Sequence, residues 1–347
     1  MAKRNLLDLL RRPLVVAPMG GGPSTVELVR AAGDAGALGF LAAGYKTSAA
    51  MLDEVAAVRA ASAQPFGVNV FAPGVASADV DAIAGYLDSL RTDAEALDTT
   101  LGEATWDDDG FDEKISALLV DPPSIVSFTF GCPSAEVITA FQDAGSVVAV
   151  TVTGADEALI AEAAGADALC VQGYEAGAHR GCFASDTPLG QDRGLLSLIA
   201  EVARVTDLPQ IAAGGIMGPD QLHSVLRAGA VAAQCGTAFL RCPESGAHPL
   251  HKAALVDPRY STTAHTRSFS GRWARGFVNR FMIDHADAPA AYPELNSATR
   301  PLRAAAAMSG DTERMSLWAG RGYRSASDRE AGEIVEWLCA STRPGRA

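Results

Sequence analysis

Short apolar runs punctuate the chain, and most are followed by a stretch with helical periodicity. LVVA (14–17), ALGFL (37–41), PFGVNVF (65–71), SIVSFTF (124–130), VVAVTV (147–152), ADALCV (167–171), PQIAAGG (209–215) and AVAAQCG (230–236) are eight candidate strands. Most are continuously apolar rather than alternating, the signature of strands covered on both faces by helices. Ser24 and Thr47 are placed to open the helices after the first two runs, and Pro133 suits a first helical turn after the fourth. Eight β/α units over roughly 240 residues predict an α/β fold of the closed (β/α)8 TIM-barrel type. An open doubly wound sheet would want a GxGxxG turn after its first strand, and here that turn reads PMGGGP.

Two regions break the repeat. Residues 75–123 are too long for one helix, and hold VDAIAGYLDSL and the acidic TWDDDGFDEK. They read as a helical insertion whose acidity marks a solvated face rather than a metal site. Residues 241–347 are mostly helical in composition, with turn signals at Pro289, Pro293 and Pro301. The expected division is a barrel core over 1–240 carrying the insertion, and a helical C-terminal cap over 241–347 packed on it.

Composition narrows the function. A net charge of −13 over 347 residues repels phosphate backbones and anionic lipid, so neither nucleic acid nor membrane is an expected partner. The N-terminal MAKRNLLDLLRRP lacks the apolar centre and cleavage site of a secretory signal, and no run of apolar residues is long enough to span a bilayer. A cytoplasmic protein with reduced, mostly buried cysteines is expected, since the six cysteines form no CxxC pair.

In such a barrel, chemistry gathers where strands end. Those ends carry Met19-Gly20-Gly21-Gly22, Asn69, Thr129-Phe130-Gly131, Gln172, Gly214-Gly215 and Gln234-Cys235-Gly236-Thr237. The glycines after the last two strands leave backbone N–H groups free, and with Thr237 and a following helix N-terminus they suit a phosphate. Asn69 and Gln172 are amides, each with a donor beside an acceptor, which suits the pyrimidine edge or ribityl chain of a flavin. The Met19–Gly22 backbone is placed to pass near the ring face. After the sixth strand, VQGYEAGAHRGCF (171–183) sets His179 on a glycine-rich backbone beside Glu175 and Arg180.

APMGGGP, FGVNVFAPG, TFGCP, VQGYEAGAHRG, IAAGGI, QCGTAFL and LWAGRG run in this order from about residue 13 to about residue 323. Together they resemble the nitronate monooxygenase family, formerly called 2-nitropropane dioxygenases, and the related FMN-dependent enoyl-ACP reductases. The resemblance implies one non-covalent FMN contacted by Asn69, Gln172, Gly177, Gly215, Gln234, Cys235, Gly236 and Thr237, with His179 as the catalytic histidine. It implies oxidation of alkyl nitronates or nitroalkanes with O2 to carbonyl compounds and nitrite. Ala178 departs from the second glycine of the histidine motif, Cys235 stands where the family often has methionine, and the acidic stretch 92–114 is foreign to the core family.

His179, with an ordinary pKa near ~6.5, suits removal of a nitroalkane's α-proton, or in its protonated form the holding of an anionic nitronate. Arg180 would reinforce that charge or meet the flavin phosphate. Tyr45 and Lys46 sit after the second strand, where they would face substrate. Trp318 would close over the site or pack the cap. The other five histidines read as surface or core residues. His248 and His251 are three apart, but no carboxylate or thiol stands in register to complete a metal site. Two alternatives stay open: an FMN- and NAD(P)H-dependent enoyl reductase acting on an enoyl thioester, and a barrel that binds FMN without turnover. A homodimer also stays open.

Overall fold

Each of the eight apolar runs forms a strand for the reason its composition suggests: nearly every residue is buried. The computed structural model describes residues 5–77, 79–191 and 193–340. Residues 1–4 of the basic N-terminal stretch and 341–347 of the expected cap lie outside the described residues. The chain-order strands β1 (Leu14–Val16), β2 (Leu38–Ala42), β3 (Phe66–Phe71), β4 (Ile125–Thr129), β5 (Val147–Val152) and β6 (Ala168–Gln172) run parallel, each paired with the next. A two-residue strand, β7 (Ala178–His179), leaves this order, and then β8 (Gln210–Ala213) and β9 (Ala232–Cys235) close the barrel against β1.

The barrel interior is apolar at its base and polar at its top. Leu6 and Leu9 of an N-terminal 3-10 turn plug the base against Val15, Phe40, Ile125, Val147 and Ile211. Gly67 makes room for this packing, because a Cβ there would lie 2.3 Å from the Phe40 ring. Toward the strand C-termini the inward positions become Asn69, Ser127, Thr129, Thr151, Gln172 and Gln234.

Two of the expected helix openings are displaced. The first helix, Val26–Asp34, is capped by Thr25, whose side chain accepts from Leu28 N, while Ser24 Oγ accepts from Met19 N at 2.9 Å and pins the β1 loop. Pro133 precedes the helix Ala135–Asp143, whose cap is Ser134. In both cases the hydroxyl that reaches the second or third helical N–H takes the cap. Thr47 caps its helix as expected.

Between β3 and β4 lie helices Val80–Ser89, Arg91–Ala96 and Phe111–Val120. The third sets Phe111, Ile115 and Leu118 against Val68, Val126 and Phe128, and so takes its place in the barrel's outer ring. The first two instead bury Ile83, Tyr86 and Leu90 with Phe269, Phe281, Leu295 and Leu302 from the C-terminal region. That region is not helical throughout. β10 (Thr263–Thr266) and β11 (Ala274–Phe277) pair antiparallel, and β11 pairs in turn with β7, aligning Ala274 with His179 and Arg275 with Ala178. Neither TAHT nor ARGF has the apolar run that announces a strand, so periodicity is silent on this small sheet. Among the described residues no helix is long and apolar enough to cross a membrane.

Candidate active site

The strand C-termini and the C-terminal region enclose a cavity of about 590 Å3. Met19, Asn69, Gln172, Gly177, His179, Gly214, Gly215, Gln234, Cys235, Gly236 and Thr237 all line it, as do Tyr45 and Trp318. Two expected contacts lie elsewhere. Lys46 faces a neighbouring hollow and is ion-paired with Glu54 at 2.5 Å. Arg180 is buried behind the wall, its Nη1 donating at 3.1 Å to Gln172 O, Gln172 Oε1 and Gly173 O.

The amides are oriented from behind. Asn69 Nδ2 donates to Ser127 O, Ser127 Oγ and Thr129 Oγ1, and among the described residues nothing donates to its Oδ1. Gln172 Oε1 accepts from Arg180 and from Gly181 N, and its Nε2 donates to His179 O at 3.0 Å. Its acceptor is therefore already engaged, and what it retains is the second hydrogen of Nε2.

Glycine shapes the opposite wall because neighbouring atoms leave no room there for a Cβ. A Cβ on Gly177 would lie 2.5 Å from Gly320 N, and one on Gly215 would lie 2.9 Å from Glu175 Cβ. Gly214 and Gly215 both have positive φ, which turns the chain sharply after β8. Thr237 Oγ1 accepts from Gly320 N at 3.0 Å, leaving its own hydrogen to donate. The element after β9 is a single 3-10 turn, Thr237–Phe239, so the expected macrodipole is slight there and the donors are individual N–H groups.

His179 does not sit on a free loop. Its backbone is held in β7 by β11, and Ala178 beside it takes a left-handed φ of 61°, a conformation that favours glycine. The ring lies among Phe130, Tyr292 and Trp318, with centroids 5.8, 5.6 and 5.7 Å away. Its Nε2 is 2.8 Å from Ser270 Oγ, which also lies within donating distance of Arg272 O. With the serine hydrogen on that carbonyl, Nε2 carries the ring hydrogen and Nδ1 the free lone pair. Burial, reinforced by the Arg272 and Arg303 guanidinium groups, pushes the His179 pKa down to about 3. The imidazole is thus held neutral.

Sequence reasoning missed the charge around it. Among the described residues no carboxylate lines the cavity, whereas Arg300 and Arg303 do, one turn apart on the helix Glu294–Ser309. Arg303 donates to Asn296 O and Oδ1 and has no acidic partner among the described residues. Arg272 lies with its guanidinium 4.3 Å over the Phe130 ring, likewise bonded to carbonyls rather than to a carboxylate. Unpaired cations around a buried wall suit an anionic ligand. The signal in the sequence was the pair of arginines three apart in ATRPLRA. His248 and His251 also line the cavity. His251 Nε2 must donate to Trp318 O, 2.8 Å away, so this ring braces the Trp318 segment. Among the described residues no three His, Cys, Asp or Glu side chains are grouped as metal ligands would be.

A family model described as nitronate monooxygenase matches residues 3–341. A probable nitronate monooxygenase of Bacillus subtilis is 34% identical over 336 residues, covering 95% of this chain and 96% of that protein. One from Staphylococcus aureus is 34% identical over 330 residues, covering 93% and 92%. Among solved structures, a nitroalkane oxidase from Streptomyces ansochromogenes superposes with a TM-score of 0.93 at 48% identity, covering 96% of each chain. FabK from Thermotoga maritima superposes with a TM-score of 0.68 at 22% identity, over 96% of this chain and 94% of that one, a likeness of fold alone.

Proposed function

The chain belongs to the nitronate monooxygenase family, and from this premise we propose that it is an FMN-dependent nitronate monooxygenase that oxidises alkyl nitronates and nitroalkanes with O2 to carbonyl compounds and nitrite. The observation that carries the reading is a buried imidazole facing a cavity that, among the described residues, is lined by guanidinium groups and by no carboxylate. The 48% identity to the Streptomyces nitroalkane oxidase supports the substrate class.

The residues present fit FMN. The glycine wall offers N–H groups with no side chains in the way, and the amide set supplies donors and an acceptor at the opposite side. In this reading the Gly214, Gly215, Gly236 and Thr237 region holds the phosphate, while Asn69, Gln172, Gln234 and the Met19 and Cys235 positions meet the ring system; Gly177 leaves room for the approach. FMN bound there would supply the redox chemistry that couples the nitronate to O2, with O2 the source of the carbonyl oxygen.

The chain's own groups manage charge and protons. A nitronate is already anionic, and Arg303 and Arg300 offset that charge without a competing carboxylate. A neutral nitroalkane must first lose its α-proton. His179 accepts it on the ring nitrogen not bonded to Ser270, which creates imidazolium and nitronate together as a compensated pair. The same arginines that make a lone imidazolium costly favour the carbanion-like product. Tyr45, Phe130, Tyr292 and Trp318 exclude water from this exchange.

Anaerobic mixing of purified protein with propionate 3-nitronate should bleach the oxidised flavin spectrum within seconds. No change at millimolar nitronate, with rapid bleaching by NADH or NADPH, would replace the reading with an enoyl reductase.

A further inference from the structure

Beside the main cavity lies a second hollow of about 300 Å3, and the two share Tyr45, Phe71, Phe130, Asn296 and Arg300 in their walls. Tyr45 lines both hollows and Tyr292 lines the second. Tyr45 and Tyr292 meet hydroxyl to hydroxyl at 3.1 Å, and the Tyr292 ring lies 5.6 Å from His179. Tyr45 reaches this position only because its backbone adopts a φ of 68°, strained for a non-glycine residue. That strain is held by the acidic stretch. Asp109 Oδ1 accepts from Tyr45 N at 2.9 Å, and its Oδ2 accepts from Lys114 Nζ at 2.6 Å. The Lys114 side chain is 1% exposed and that of Asp109 20%, so a buried ammonium holds a half-buried carboxylate against one backbone N–H.

We infer that Asp109, fixed by Lys114, is a positioning residue that sets an upper limit on substrate chain length by holding Tyr45 against Tyr292 as a partition between the two hollows. The inference rests on the nitronate reading for its substrate class. With the partition in place, the chain of a nitronate ends at the phenols; without it, a longer chain extends into the second hollow.

Two double variants isolate the clamp. Both carry Lys114→Met, which leaves no buried ammonium unpaired. Asp109→Asn keeps an acceptor for Tyr45 N, and Asp109→Gly removes it while tolerating the φ of 60° at this position. The readout is kcat/KM for ethane, butane and hexane nitronates, beside calorimetric binding of acetate, butanoate and hexanoate, which present a similar planar two-oxygen anion. The native protein should lose tenfold or more from butane to hexane nitronate. The Asp109→Gly pair should raise the hexane-to-ethane ratio at least tenfold, through KM, with ethane nitronate turned over within threefold of native; the Asp109→Asn pair should keep the native ratio. Tyr292→Ala, which leaves the ion pair intact, should open the same passage. Identical chain-length ratios in native protein and in all three variants would overturn the inference. If no nitronate is oxidised by the native protein, the proposed function fails, and the carboxylate series by itself decides whether the partition exists.

Discussion

At His179 a single buried side chain joins the base of the proposed reaction to a stability cost. Replacing it by Gln keeps a polar group of similar length but removes the base. Turnover of neutral nitroethane should fall by about 10²–10⁴-fold, the usual worth of a positioned base, while preformed ethane nitronate loses less than tenfold. Equal losses on both substrates would argue that His179 positions rather than deprotonates. Burial and neighbouring arginines hold both His179 and His265 down to about 3, from an ordinary 6.5. In the unfolded chain these rings take up protons as pH falls through 6.5, and in the folded chain they do not. Their contribution to stability is therefore complete above that pH and is lost progressively toward pH 3. Between pH 7 and pH 5 each should cost up to about 2 kcal/mol, visible as a drop in thermal midpoint that His179→Gln makes shallower. The place of this histidine on the cavity wall was legible in the sequence because its motif is local. Its neutrality was not, because Arg272 and Arg303 arrive from about a hundred residues away.

Elements with a strong apolar run were the most legible. All eight barrel strands form where continuous burial was expected, since β3, with its inward Gly67, packs on both faces. Gly67→Ala should therefore act through the barrel interior, where the added methyl would press on the Phe40 ring; a loss of about 1–3 kcal/mol in chemical denaturation, at unchanged unfolding slope, is the expected signature of overpacking. What the pattern hid were elements stabilised by partners rather than by their own composition. β7, β10 and β11 are short and mixed in polarity, and they exist because the central β11 pairs with β10 on one side and β7 on the other. Helix openings were legible to within one residue, and at Ser24 the neighbouring Thr25 won the cap because the serine was needed by the β1 loop.

Over the whole molecule, the first two helices after β3 are joined to the C-terminal region by an apolar cluster and by polar contacts centred on one acidic side chain. Asp93 accepts from His285 Nε2 at 2.8 Å and from Arg314 Nε at 2.6 Å, and Tyr86 OH donates to Ser268 O beside it. Asp93→Ala removes the acceptor of His285 Nε2 and one of the two carboxylate partners of Arg314, whose Nη1 stays 2.6 Å from Asp311, and should lower stability by about 1–3 kcal/mol, measured by denaturant unfolding. A loss below about 0.5 kcal/mol would show the contact to be ornamental. The acidic stretch was legible as acidic, but its work was not: Asp93 and Asp109 face inward onto Arg314, Lys114 and a backbone N–H rather than into solvent.

The alignment of His179 with Ala274 also bears on synthesis. The ribosome completes the last barrel strand at residue 235, yet the segment that clasps the imidazole emerges only with residues 274–277, and the Trp318 wall later still. A nascent chain thus has every barrel strand before it has the walls of the candidate site, so synthesis supplies the scaffold first and the cavity afterwards.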